Sequence, residues 1–311
     1  MKGRYFWDRR SPEDLTKAVD FFTQAIVKDP SDAQAYAGLA DCYNLLREFG
    51  AMPPAEAYPR ALSAAQRAVE LDDNSAEAHL SLAFATFWWQ WRAATAEREF
   101  QRALELNPKL ERAHHWYATF LLANARFPEA LDQIEQARRL NPSSNALLAD
   151  KGELLWHAGR KSQAMALLTQ LETTDPSLSS THAYLGNIYW REKDYPKALA
   201  EMRQAAELRH DETGIAFADA REKGFAANGL QGLYEAELPL QKAQVDAGSG
   251  SAYDLALTYA ALGKKPEALQ YLQISFDRHE AFMLVADPVP ELQNDPHYQA
   301  LRAQVAQLLA Q

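Results

Sequence analysis

The chain has 311 residues, of which 47% are hydrophobic and 24% charged, with 13 glycines and 15 prolines; this suits a folded, helix-rich protein too long for one small core. A formal net charge of −10 argues against nucleic-acid binding, which needs a basic face. The single cysteine, Cys42, excludes an internal disulfide and reads as a small buried hydrophobe.

The opening "MKGRYFWDRR" is charged, with no apolar run behind it, so it is not a signal peptide. "KAVDFFTQAIVKDP" then reads as an amphipathic helix closed by Pro30, and "YAGLADCYNLL" as the next helix. The stretch 47–60, with Pro53 and Pro54, predicts a long, stiffened, protruding turn. "LAFATFWWQW" is the most apolar segment, about half of what a bilayer demands, so no membrane insertion is expected.

From there a period governs the chain. Ala96, Ala130, Ala164 and Ala198 stand 34 residues apart, and Pro108, Pro142 and Pro176 keep the same interval. Each period reads as helix, short turn, helix, stop. In "NALLADKGELLWHAGRKSQAMALLTQLETTDP" apolar residues recur at three and four, and the proline ends the second helix. Small residues hold one place in the first helices (Ala40, Ala83, Ala118, Gly152, Gly186, Ala256) and another early in the second (Ala61, Ala96, Ala130, Ala164, Ala198, Ala268). Such places predict close helix crossings. A mid-helix glycine costs about 1 kcal/mol against alanine, so Gly186 is expected to be compensated by packing against a neighbouring unit. Residues 211–251 hold six glycines and break the period, which predicts a hinge or an irregular helix pair. One more unit follows from Ser251 to about His279. The tail predicts a capping helix with Asp295 as N-cap and Pro296 at its first position.

Leu185, Gly186, Tyr189, Ala198, Met202 and Ala205, with Tyr36, Leu39, Ala40, Tyr43, Ala61, Ala65 and Ala68 in an earlier unit, resemble the tetratricopeptide-repeat family pattern. Ala18, Phe22, Ala25 and Pro30, then Phe100, Ala103 and Pro108, repeat its ending. The resemblance implies an all-α fold: a right-handed superhelical solenoid of stacked helix-turn-helix units with a C-terminal capping helix. The expected organisation is an array over 1–210, of about six units with the first truncated, an irregular helical segment over 211–251, and a final unit plus cap over 252–311. Since Gly3 already sits at the mid-helix small position, the opening unit reads as cut from a longer polypeptide. "KGRYFWDRRSPEDL", the Pro-containing turn and "AEREFQRALELNP" are similar to repeat regions C-terminal to winged-helix or serine/threonine-kinase domains in bacterial signalling proteins.

Catalytic patterns are missing: there is no G-x-S-x-G, H-E-x-x-H or C-x-x-C. "GELLWHAGRKS" has glycines too far apart for a phosphate loop. His114, His115, His157 and His182 lack ligand-spaced partners, so neither metal nor cofactor is expected. In the family, first helices line the concave face. The resemblance therefore implies a partner-binding groove lined by Asp41, Asn44, Phe84, Trp88, His115, Thr119, Glu153, Trp156, Asn187, Trp190 and Arg191, with Phe87 beside them. Glu153 would repel a peptide's terminal carboxylate. The resulting expectation is a non-enzymatic cytoplasmic module that binds a protein or peptide, serving as the sensing or docking part of a bacterial regulator. Homodimerisation of that regulator, or a small-ligand pocket under Trp88, Trp89 and Trp91, are the rival readings.

Overall fold

A computed structural model describes residues 2–9, 11–48, 52–285 and 289–311. Phe49, Gly50 and Ala51 of the expected long turn, and residues 286–288 of the tail, lie outside the described residues. Every regular element among the described residues is helical. The first three pairs are α1 (Lys2–Asp8) with α2 (Pro12–Lys28), α3 (Ala33–Glu48) with α4 (Pro54–Leu71), and α5 (Ala76–Gln90) with α6 (Ala93–Leu106). Three more follow: α7 (Glu111–Ala123) with α8 (Phe127–Leu140), α9 (Asn145–His157) with α10 (Lys161–Thr174), and α11 (Ser179–Arg191) with α12 (Tyr195–Leu208). Then come α13 (Glu212–Asp246), α14 (Ala252–Ala261), α15 (Lys265–Asp277), α16 (Phe282–Val285) and α17 (Pro296–Leu309), with a 3₁₀ turn at Pro290–Leu292 before the last. Two compact units result. One, outer in sequence (the outer unit), takes Met1–Ala113, Ser251–Tyr253 and Leu269–Gln311, and the other, central in sequence (the central unit), takes His114–Gly250 and Asp254–Ala268.

The punctuation of the pairs is written in the sequence. Ser11, Ser75 and Ser144 accept from Asp14, Ala78 and Leu147 backbone N–H groups, and Asp194 and Asp211 do the same for Lys197 and Gly214. Second helices stop at an Asp or Asn that leaves the helical region. Asp29, Asn107, Asn141 and Asp175 have φ between −136° and −143°. Each precedes a proline, whose Cδ disfavours a helical neighbour. Asp72 adopts the same geometry (φ −147°) without a following proline.

The small residues do their work inside each pair. A Cβ on Gly186 would meet Met202 Cγ at 3.1 Å and the Ala198 carbonyl at 3.4 Å, both on α12. On Gly152 it would meet Leu168 Cδ2 at 2.6 Å, on α10. The packing that offsets the glycine is therefore the unit's own second helix and not the neighbouring unit. The alanines at this crossing, Ala40, Ala83, Ala96, Ala130, Ala164 and Ala198, are essentially inaccessible.

In the outer unit helix occupies both ends of the expected long turn. α3 continues to Glu48 and α4 begins at Pro54, with Pro53 as its N-cap. Tyr58 and Ala57 in the first turns are fully buried, so residues 54–60, read as loop, are helix. Pro59 is tolerated near the start because the carbonyl it leaves unbonded belongs to Ala55, in the first turn. Trp91 caps α5 in the left-handed conformation (φ 57°) and is wholly buried, edge-on to Phe276 at 5.4 Å and against His279 at 4.9 Å. His279 Nδ1 donates to the Trp89 carbonyl at 2.9 Å, and Trp89 stacks on Tyr58. Trp89 and Trp91 thus pack on protein groups, which speaks against the rival reading of a ligand pocket beneath them. α17 starts as its sequence dictates: Asp295 accepts from His297 and Tyr298 N–H, with Pro296 at the first position.

In the central unit, the glycine-containing segment 212–246 is a helix pair with almost no turn. Helical geometry is broken only at Asn228 (φ −152°) and Gly229 (φ 57°, ψ −144°). The two halves cross at Gly224 and Gly232, where a Cβ on Gly224 would lie 2.2 Å from the Gly232 carbonyl. Glu237, 3% exposed, accepts from Arg221 Nε at 2.6 Å and from Thr258 Oγ1 at 3.1 Å, which ties both halves to α14.

The two crossings respond differently to a methyl group. Gly224→Ala drives Cβ into backbone and is expected to cost about 1–3 kcal/mol or more. Gly186→Ala meets a flexible methionine and regains helix propensity, so its change stays within about 1 kcal/mol. Urea unfolding of the two variants checks this; equal midpoints would refute the distinction.

Candidate functional site: the inner face of the first helices

In the outer unit the inner face is organised by one carboxylate. Asp41 on α3 is fully buried. It accepts from Arg4 Nη1 on α1 at 3.0 Å, from Arg112 Nη1 on α7, and from the Ser81 hydroxyl on α5. Burial alone would push this carboxyl up, but Arg112, Arg4 and Ser81 outweigh it and hold it below the ordinary aspartate value. Both guanidiniums lie over the Trp7 ring, at 5.0 Å for Arg4 and 4.6 Å for Arg112. Asn44, also buried, donates to the Ser81 carbonyl at 3.4 Å. Phe84 is buried, and Trp88, half-buried, leans on Phe84 and Phe87. A cavity of about 410 Å³ beside this network is lined by Arg4, Trp7, Asp8, Glu77, Leu110, Glu111 and Arg112. Asp41, Asn44 and Phe84, expected to face a partner, are interior residues instead. Arg4, Trp7, Ser81 and Arg112 are the groups that the sequence reading missed.

The central unit carries a second network. His115 Nε2 on α7 donates to Asp150 Oδ2 on α9 at 2.7 Å, and the Tyr184 hydroxyl on α11 donates to Asp150 Oδ1 at 2.6 Å. Glu153, one turn along α9, also hydrogen-bonds Tyr184. Tyr184 has one proton, so its hydroxyl can donate to only one of the two carboxylates at a time. Burial first, then the Asp150 charge, push the Glu153 carboxyl up to about 7, against the pull of Tyr184 and Arg191. Burial and the same two carboxylates push the Tyr184 phenol far up. Thr119 bonds back to the His115 carbonyl. Trp156 is nearly buried under Lys161, whose ammonium is 4.6 Å from the ring centroid. Trp190 is half-buried against Tyr195 and Tyr234. Asn187 and Arg191, on successive turns of α11, are exposed. Asp150 and Tyr184 were missed by the sequence reading, although a signal existed. Ser81, Trp116, Asp150 and Tyr184 all stand two residues before the small crossing residue.

The histidines separate into different environments. His114 bonds Gln133, His157 stacks on Phe127, and His115 belongs to the Asp150 network, so they form no common site. His79 and His182 share another geometry. In each, Nδ1 meets a second-helix glutamate, Glu99 at 2.6 Å or Glu201 at 2.7 Å, and Nε2 donates to the carbonyl that precedes the helix, Asp73 or Pro176. Burial lowers the His79 value, but Glu99 and the Asp73 carbonyl win and raise it. At His182, Glu172 adds a second carboxylate, and one ligand atom from each of the three residues lies within 4.8 Å of the others.

Comparison with known proteins bears on this face. A tetratricopeptide-repeat family model matches residues 118–179. The chain is 25% identical over 146 residues to the transcriptional regulator HilA of Salmonella typhimurium, covering 47% of this chain and 26% of that one. It is 24% identical over 185 residues to human tetratricopeptide repeat protein 6, covering 60% of this chain and 34% of that one. It therefore spans about a quarter to a third of the curated relatives' length. Among solved structures, yeast Tom70 aligns over 94% of this chain and 60% of its own, at 15% identity and a TM-score of 0.54. That likeness is one of fold.

Two outcomes follow from the networks. Asp41→Ala removes the buried carboxylate shared by Arg4, Arg112 and Ser81 and is expected to cost about 3–5 kcal/mol; a melt shifted by less than a surface substitution would refute the staple. For Glu153 the folded value lies above the unfolded one, so the folded state holds the extra proton between about pH 4.5 and 7. Wild-type stability relative to Glu153→Gln therefore falls as pH rises through that window and is lowest above it. Denaturation of both proteins at pH 5 and pH 8 reads the difference, and a constant gap would refute the raised value.

Proposed function

We propose that this chain, whose residues 118–179 match a tetratricopeptide-repeat family model, is a non-enzymatic interaction module whose central unit binds an extended segment of a protein partner. The observation that carries this is the α11 surface. Asn187 and Arg191 are exposed on consecutive turns, beside half-buried Trp190 and next to the hydrogen-bonded Asp150–Tyr184–Glu153 group. An amide and a guanidinium on a rigid helix supply directional donors, and the neighbouring aromatic supplies apolar area, the combination that dominates binding energy. Asp150 and Glu153 disfavour a terminal carboxylate there, so the partner presents an internal segment. The net charge of −10 speaks for protein over nucleic acid.

Within a longer polypeptide the module serves as the docking or sensing part of a bacterial transcriptional regulator, a reading supported by the similarity to HilA. No helix among the described residues is long and apolar enough to cross a membrane.

Peptides selected by display on the whole chain are expected to bind Asn187→Ala/Arg191→Ala at least about tenfold more weakly, the loss of one or two strong contacts. The variant's stability should change by no more than about 1 kcal/mol, because both side chains are exposed, even though the pull of Arg191 on Glu153 is lost. Selected peptides that bind the double variant as well as wild type would move the partner surface elsewhere.

A further inference from the structure

One histidine arrangement occurs along the chain with a variable neighbour. His79, His114 and His182 each stand four residues before the small crossing residue (Ala83, Ala118, Gly186), and each bonds a side chain of the following second helix: Glu99, Gln133 or Glu201. The preceding second helix supplies a third position, eight residues after its own crossing alanine. Beyond Ala61 this is Val69, beyond Ala96 it is Leu104, and beyond Ala164 it is Glu172. Val69 packs against the Ala37, Ala68 and Ala78 cluster, as a structural position should. Only the His182 arrangement has a carboxylate there. The repeat thus provides its own control for what Glu172 adds.

The local chemistry calls for a cation. His182 is 6% exposed, and its Nε2 hydrogen is fixed on the Pro176 carbonyl at 3.1 Å. Its other nitrogen, Nδ1, stands 2.7 Å from Glu201 Oε2. Two lone pairs cannot face each other at that distance, so a positive particle, a proton or a metal ion, lies between them. At His79 the same Nδ1 meets Glu99, and the second carboxylate, Asp73, lies 3.6 Å from Nε2 on the far side of the ring. At His182 the second carboxylate, Glu172, gathers with Nδ1 and Glu201 instead. Burial, then the fields of Glu201 and Glu172 against that of Lys197, push the nearby Tyr189 phenol up. Lys197 itself pairs with Asp194 at 2.9 Å and lies 5.1 Å from the Tyr189 ring centroid. An imidazole whose second N–H is held by a backbone carbonyl has the tautomer and orientation of a metal ligand.

We propose that Glu172, His182 and Glu201 form a binding site for a divalent transition-metal ion of the Zn²⁺ class. One imidazole nitrogen and two carboxylate oxygens are a ligand set that suits Zn²⁺. Zn–N and Zn–O bonds of about 2.0–2.2 Å place tetrahedral ligand atoms about 3.4 Å apart. The Nδ1–Oε2 pair opens slightly from 2.7 Å, and the remaining separations close from within 4.8 Å. Water completes the fourth position. The ion takes the place of any proton between Nδ1 and Glu201, which is released to solvent. The ion would clamp α10 to α11 and α12, and thus one helix pair to the next. The site does not depend on the partner reading.

The test is isothermal titration of ZnCl₂ into the whole chain after EDTA treatment, at pH 7.5. The expected result is one equivalent bound. Glu172→Gln should weaken it at least tenfold while leaving the metal-free melting temperature unchanged, because the His182–Glu201 pair persists. His79→Gln should bind as wild type does. Zn²⁺ should raise the melting temperature of wild type and not of Glu172→Gln. No saturable binding at micromolar protein, or equal binding by wild type and Glu172→Gln, would overturn the proposal.

Discussion

The close crossing of the two helices within each pair is the constraint on which the rest of the structure depends. At Gly152 and Gly186 the approach leaves no room for a Cβ without displacing Leu168 or Met202. The alanines that complete the crossings are inaccessible. Once a pair is closed this tightly, the same helix faces are presented in each period, and the inner faces of successive first helices come into hydrogen-bonding reach. The Asp41 staple and the Asp150–Tyr184 network are consequences of that register. Each joins first helices that are neither adjacent in sequence nor linked by a turn.

What was legible in the sequence follows from how local the determinants are. Ser caps, Asp-Pro and Asn-Pro stops and the small crossing residues act within a few residues of themselves, and their 34-residue recurrence exposes the whole array. Asp41 is a different case. Its burial depends on Arg4 and Arg112, 37 and 71 residues away, so a position that reads as a groove residue becomes an interior ion pair. The prolines near 53 read as a loop because proline usually breaks helices; here Pro53 and Pro54 start one instead. Trp91 was opaque for the same long-range reason, since Phe276 and His279, which enclose it, lie more than 180 residues on.

For binding, the networks divide the inner face into buried groups and exposed ones. Asp41, Asn44 and Phe84 are consumed by the fold, and a partner reaching them would have to displace buried contacts. In the central unit, Tyr184 and His115 spend their donors on Asp150, which rigidifies the floor beneath Asn187 and Arg191. A floor held by hydrogen bonds loses little entropy when a partner docks. The exposed pair on α11 is therefore better placed to contribute affinity than the larger but half-buried tryptophans.

The histidine series shows how an array acquires a local property without altering its architecture. The first-helix histidine and its glutamate bridge one pair internally, and this bond needs nothing from the unit before. Val69 and Leu104 bring no charge to that position, and the imidazole keeps a structural role. A carboxylate at that place, Glu172, changes the charge balance of a buried ring already fixed by the Pro176 carbonyl. A single side chain, on a helix whose crossing residues are untouched, converts an interlock into a candidate ion site. Repetition permits this because the frame is overdetermined by the other units, so one position is free to vary toward chemistry.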